Sequence, residues 1–205
     1  MADTREKILI TALHLFARDG YAAVSVSAIA GALGMTKGAL YKHYENKRDI
    51  FDSIVERMYQ IDAQRAKEYA VPEEKYDVDP ASYRDITADS IKSYTLSQFT
   101  FWSEDAFASD FRRMLTLEQY RSAEMAELYS SCLTSGPIAY MEDIFREMMN
   151  KGILKEANPK LLALEFYAPL YLLVSRSDLT ISHVELKELL NDHIERFFRN
   201  NAAHQ

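Results

Sequence analysis

Apolar residues recur at helical spacing from one end of this chain to the other, and that recurrence decides the fold class before any motif does. Ile8, Leu9, Ala12, Leu13, Leu15 and Phe16 line one face of a helix, as do Ile50, Phe51, Ile54, Met58 and Ile61. Leu186, Leu189, Leu190, Ile194, Phe197 and Phe198 do the same near the C-terminal end. No Val/Ile/Thr-rich alternating run bounded by hairpin turns interrupts them. The 6 Gly and 5 Pro stand mostly where a helix should start or stop. The expectation is an all-α protein.

Capping residues set the boundaries. Asp3-Thr4-Arg5-Glu6 reads as a capping box ahead of helix 1, which ends at Gly20. Ser25 caps a short second helix at 27–33, and Gly34 is free to take φ > 0 after it. Thr36 caps a third helix at about 37–44, and Asn46 a fourth at about 47–69. The acidic, proline-containing segment 71–82 reads as a linker, with Asp79-Pro80 as cap and first residue of a fifth helix running to about Trp102. Two more helices follow, with Gly136-Pro137 breaking or kinking the second region and Gly152 ending it. Asn158-Pro159 opens a helix to about Ser175, and Ser182-His183-Val184-Glu185 is a capping box for the last one.

Composition bounds the rest. A chain of 205 residues, 48% hydrophobic and 27% charged, is an ordinary soluble composition with enough length for a sizeable core. The polar residues 1–7 do not open a signal peptide. The longest apolar run, 161–174, is broken by Glu165 and Pro169 and falls short of the ~18–20 residues of a membrane span. The single Cys132 excludes an internal disulfide and a cysteine zinc site, and suits a cytoplasmic location. The net charge of −7 argues against a general nucleic-acid binder. That charge is uneven: residues 1–49 carry +2, and residues 50–205 carry −9.

The stretch LGMTKGALYKHYENK, beginning at Leu33, sits in the more basic part. Two short helices joined through a glycine fit a helix-turn-helix. Ile29, Leu33, Met35 and Leu40 supply its apolar contacts, leaving Lys37, Gly38, Tyr41, Lys42 and His43 outward. In such a motif the second helix enters the major groove. Gly38 would let the backbone approach DNA closely, Tyr41 offer a hydroxyl or ring, Lys37 reach a guanine edge, and Lys47 meet a phosphate at the start of the fourth helix. A helical hairpin with a solvated basic face fits the same residues.

Phe16, Gly20 and then VSVSAIAGALGMTKGALYKHYENKRDIF together resemble the N-terminal domain of the tetracycline-repressor (TetR) family of bacterial regulators, over about residues 5–52. The resemblance implies about nine helices: a three-helix DNA-binding domain at 1–48, and a larger ligand-binding and dimerisation domain at 49–205 joined through the fourth helix. It also implies a homodimer acting on a palindromic double-stranded operator, with a small-molecule effector. Carried over by position, the DNA contacts fall on Ser27, Thr36, Lys37, Gly38, Ala39, Tyr41, His43 and Lys47. Many relatives have Arg or Lys near Ser27; this chain has none.

The body is read by physics. The 161–174 helix is apolar nearly all round and must be buried on more than one side. With the last helix, at Leu186, Leu190, Ile194 and Phe197, it can form a four-helix dimer interface; both helices serving as monomer core is the plainer alternative. Gln98, Trp102, Phe111, Tyr129, Tyr140, Glu165 and Tyr167 are candidate pocket residues, with core packing the alternative for the aromatics and solvent or an Arg partner the alternative for Glu165. No catalytic motif is present, and none of the five His has metal-ligand spacing to another His or Cys, so neither an enzyme, a metal nor a cofactor is expected. Two functions remain: a ligand-responsive DNA-binding regulator, most simply a repressor, and a DNA- or protein-binding scaffold of the same fold without an effector.

Overall fold

The computed structural model describes residues 2–73, 76–179 and 182–203, with side chains from Thr4 onward. Part of the 71–82 linker, His204 and the Asp3 side chain of the expected capping box therefore lie outside the described residues, and α1 already includes Asp3. Within them the chain is α-helical without strands. The helices are α1 (Ala2–Asp19), α2 (Val26–Ala32), α3 (Lys37–Leu40), α4 (Lys47–Glu68), α5 (Ala88–Glu104), α6 (Ala106–Glu118), α7 (Ala123–Leu133), α8 (Ser135–Asn150), α9 (Pro159–Arg176) and α10 (His183–Asn201), with a 3-10 turn at Pro80–Tyr83.

Two compact units form. The first is residues 1–62 with 105–129; the second is 63–104 with 130–205. The first reaches beyond the expected domain because α4 and α6 complete its core. Phe16, Tyr21 and Phe51 stack edge to face at 5.1 and 5.0 Å, and Arg57 of α4 pairs with Glu6 of α1 at 2.9 Å. Ile8, Ile29, Leu40, Ile50, Ile54, Phe111 and Leu115 are fully buried here. Burying a side chain of this size contributes roughly 1.5–3 kcal/mol, which a hairpin of seven- and four-residue helices could not gather alone.

The second unit is centred on Phe145, Phe166 and Phe197. Their rings lie 4.8–5.3 Å apart, and the core extends through Tyr83, Ile91, Phe99, Ile144, Met148, Leu190 and Ile194. Asn158 caps α9 by accepting a hydrogen bond from the Leu161 N–H at 3.1 Å, with Pro159 in the first turn. Gly136 lies in the first turn of α8, where a Cβ would stand 1.8 Å from the Ser131 carbonyl oxygen. Lys155 N–H donates to the Asn201 carbonyl and Ala203 N–H to that of Ile153, tying the end of α10 to the segment after α8.

The expectation that Asp79-Pro80 opens α5 needs correction. Asp79 caps only the 3-10 turn. Helix α5 starts separately, where Thr87 Oγ1 accepts from Ser90 N–H and Ser90 Oγ accepts from Thr87 N–H, both at 3.1 Å. This reciprocal pair does the work of a capping box with Ser in place of Glu.

Candidate nucleic-acid interface

The hairpin of α2 and α3 is built by short-range hydrogen bonds. Ser25 Oγ accepts from the Ala28 N–H at 3.1 Å, and Thr36 Oγ1 from the Ala39 N–H at 3.2 Å, so both helices have filled N-caps. Between them Gly34 takes φ +64, and Met35 N–H reaches back to the Ala30 carbonyl at 3.0 Å. A side chain at that φ would be strained, which is why glycine stands there. Helix α3 is shorter than the expected 37–44. After Tyr41 the bonds tighten to one-turn spacing, Lys42 N–H to Ala39 and His43 N–H to Leu40, as the chain turns toward the Asn46 cap of α4.

The expected DNA contacts fall into two groups. Ser27, Thr36, Lys37, Gly38 and Tyr41 are exposed, with Ala39 and His43 half-buried. Tyr41 is 43% exposed although its neighbour Leu40 is fully buried. The Lys37 ammonium lies 5.6 Å from the Tyr41 ring centroid. Around Gly38, a Cβ would meet nothing within 4 Å, and its φ is ordinary. Neither space nor backbone conformation in the protein asks for glycine there, although glycine costs a helix about 0.5–1 kcal/mol relative to alanine.

Lys47 is different. Its Nζ donates to the carbonyls of Tyr21 at 2.7 Å and Val24 at 2.9 Å, approaches that of Ala22 at 3.4 Å, and sits 4.3 Å from the Tyr21 ring centroid. Burial holds its pKa below the usual lysine value, against an opposing pull from Glu118. The ammonium ties the 21–24 loop to the start of α4, rather than standing free at the surface. Glu118, which carried no sequence signal, completes this joint. It is buried, and its Oε1 accepts from the Tyr21 N–H at 3.0 Å. The same oxygen stands 2.9 Å from where a Cβ on Gly20 would lie, and Gly20 has φ +83. Arg48 adds pairs to Asp52 at 2.7 Å and Glu124 at 2.5 Å, which hold its guanidinium pKa above the usual range.

The expected pocket residues are divided between the two units. Phe111 is fully buried in the core of the first unit, which also holds Tyr129. In the second, the Tyr140 hydroxyl donates to the Pro72 carbonyl at 2.9 Å and that of Tyr167 to Leu133 at 2.8 Å. Trp102 packs edge to face on Phe101 at 5.3 Å. The Gln98 amide bonds the Tyr94 hydroxyl and leaves its Oε1 buried without a partner. Glu165 is exposed and lines no interior. It shares the outer face of α9 with Leu161, Leu164 and Leu172, which are 53%, 47% and 58% exposed. An open groove of about 700 Å³ beside the end of α8, lined by Arg146, Met149, Asn150, Glu156, Ala157 and Pro159, contains none of the expected residues.

The expected dimer residues face inward in the single chain. Leu186, Leu190, Ile194 and Phe197 are 0–6% exposed in the single chain. The stripe on α10 faces its own core, and no surface remains on those side chains for a partner.

Residues 8–54 match the family of bacterial regulatory proteins named tetR. Over 54 residues the chain is 44% identical to the transcriptional regulator AcrR of Shigella flexneri, covering 26% of this chain and 25% of AcrR. Over 56 residues it is 45% identical to the transcriptional repressor BepR of Brucella suis, covering 27% of each. These alignments span about a quarter of the curated relatives' length. For the whole chain, the structure of SmeT in complex with triclosan superposes with a TM-score of 0.68 at 23% identity, covering 98% of this chain and 92% of SmeT. SmeT is the repressor of a multidrug efflux pump of Stenotrophomonas maltophilia. An identity that low carries the fold and no more, whereas the N-terminal match carries sequence as well. No described helix is long and apolar enough to cross a membrane. Over its residues 8–54, the chain is similar to the tetR family of bacterial regulatory proteins.

Proposed function

We propose that the protein is a homodimeric transcriptional repressor that binds a palindromic DNA operator through α3 and is released by a small-molecule effector. The observation that carries this reading is Gly38. The fold gives no reason for glycine on the exposed face of α3, and a nucleic-acid backbone pressed against that face supplies one. Lys37 and Tyr41 flank it with a charge and a hydroxyl for phosphate or base edges. Thr36 and Ser27 keep the expected contact roles. Lys47 acts by fixing the loop that carries α2.

The partner surface proposed for the dimer is the outer face of α9. Leu161, Leu164, Ala168 and Leu172 follow helical spacing along it, with Glu165 among them, and Val184 and Leu189 are exposed on α10. A second copy is the occupant that fits, because a palindrome read by two recognition helices needs a two-fold pair. The interface proposed here again uses α9 and α10, through the other side of each helix.

Quantitative DNA binding by the wild type, Lys37→Ala and Tyr41→Ala, with the oligomeric state of each measured by sedimentation, tests the assignment. Each substitution should weaken binding about tenfold or more while leaving the dimer unchanged. Unchanged affinity in both variants would remove α3 as the reading element.

A further inference from the structure

Among the described residues, two buried side-chain polar atoms make no hydrogen bond, Arg65 Nε and Gln98 Oε1, and both residues are in the second unit. Arg65 stands near the end of α4. One of its terminal nitrogens donates to Ser97 Oγ at 3.0 Å, which sets the guanidinium beside the residue preceding Gln98. Its central carbon lies 4.2 Å from the Phe101 ring centroid, so the cation is stacked with its Nε–H unused. Tyr94, Ser97, Gln98, Phe101 and Trp102 recur at helical spacing and share one face of α5. That face therefore carries aromatic rings, an idle N–H donor supplied by Arg65, and an idle amide oxygen.

An idle donor and an idle acceptor under aromatic rings are what a binding site presents before its ligand arrives, since buried polar groups are otherwise paired. Arg65 decides the charge. Its guanidinium occupies the Phe101 ring face on which a ligand cation would stack, and it would repel one. An anionic or phenolic oxygen gains a charge-assisted bond there. Gln98 Oε1 asks in turn for a donor, which a ring hydroxyl provides.

We infer that this face of α5, with Arg65, recognises an aromatic effector bearing an acidic oxygen for Arg65 and a hydroxyl donor for Gln98, that is, a hydroxylated aromatic acid. The inference rests on the effector-responsive reading above and gives it a chemical class. Glu165, on the outer surface, takes no part in it.

The probes are 6-hydroxy-2-naphthoate, 2-naphthylmethylamine and decanoate, titrated calorimetrically into the full-length protein. The indole N–H resonance of Trp102, the chain's one tryptophan, reports on the site. The hydroxynaphthoate should bind saturably and shift that resonance. Affinity should fall about tenfold, which is 1.4 kcal/mol, in Arg65→Met and in Gln98→Leu. The two substitutions lie on different helices, so a variant that loses its helical signal leaves the other to decide. The inference is overturned if the amine or decanoate binds as tightly, if a folded variant keeps wild-type affinity, or if no probe binds the wild type. Binding that fails to release operator DNA would retain this site and sink the effector-release reading. Release of DNA by a compound indifferent to Arg65 and Gln98 would do the reverse.

Discussion

At the scale of single residues, the molecule separates glycines that the fold requires from two that it does not. Gly20, Gly34 and Gly152 have positive φ, and Gly136 abuts backbone; Gly31 on α2 and Gly38 on α3 have neither constraint. Gly38→Ala should therefore raise stability by up to about 1 kcal/mol and still weaken DNA binding, a trade of function for stability that unfolding curves and DNA titrations read separately. A variant that is more stable and binds DNA as before would leave Gly38 unexplained. Lys47→Ala should behave in the opposite way. Losing its bonds to the 21–24 loop should lower the unfolding midpoint, and DNA binding should weaken through the displaced loop.

His193 gives a pH-dependent term. Burial holds its pKa below the ordinary 6.5, although its ring bonds the Phe166 carbonyl at 3.2 Å and Arg196 adds a smaller lowering. The unfolded chain then takes up a proton near pH 6.5 that the folded chain resists. Its contribution to stability is complete above that pH and is lost as pH falls through it. His193→Gln should flatten the stability profile below pH 6.5; an unaltered profile would mean that other groups set it.

At the scale of helices, α4 closes with an unusual cap. Ala70 has φ 51, and Val71 N–H reaches the Ala66 carbonyl at 3.0 Å, a left-handed helix end normally given to glycine. Ala70→Gly should stabilise the protein by about 0.5–1 kcal/mol in denaturant titration, because the left-handed penalty of the side chain disappears. Helices α9 and α10 offer a sharper contrast. Leu190→Ala should cost about 2–5 kcal/mol of stability, as a core leucine does. Leu172→Glu on the outer face of α9 should leave the fold intact and yield monomers by sedimentation. A persistent Leu172→Glu dimer would exclude that face.

Most helix ends were legible in the sequence, because their signals are local. Asn158-Pro159, Ser25, Thr36 and Asn46 each cap the helix that follows. Thr87 and Ser90 escaped notice because the reciprocal cap usually has Glu or Gln at its fourth position. Faces were harder than ends. An almost uniformly apolar α9 does not say which side is outside, and Glu165 is on that side with three leucines. The apolar stripe on α10 is plain in the sequence, but spacing alone does not say whether such a stripe faces the chain's own core or a partner; in the single chain it is buried. Lys47 and Glu118 could not be placed together from sequence, since what joins them is the carbonyls and N–H of a loop far from both along the chain.

At the scale of the whole molecule, charge and symmetry set what DNA binding must look like. A chain of net charge −7 that binds DNA does so through a local face, and its affinity should fall steeply with salt, by a slope of about −0.9 per phosphate contacted. Release by an effector requires a difference in its affinity for the DNA-bound and free forms; tight binding alone shifts nothing. A coupling of about 1–3 kcal/mol would change operator affinity some 5–150-fold.

The central claim is that two copies of α3 read a two-fold DNA site. Selection of bound sequences from a random DNA pool by the purified protein, at near-physiological salt, tests it most directly. The account predicts a palindrome with half-sites about one helical turn, ~34–36 Å, apart. Recovery of no motif by a folded dimer would contradict it and favour a scaffold of the same fold.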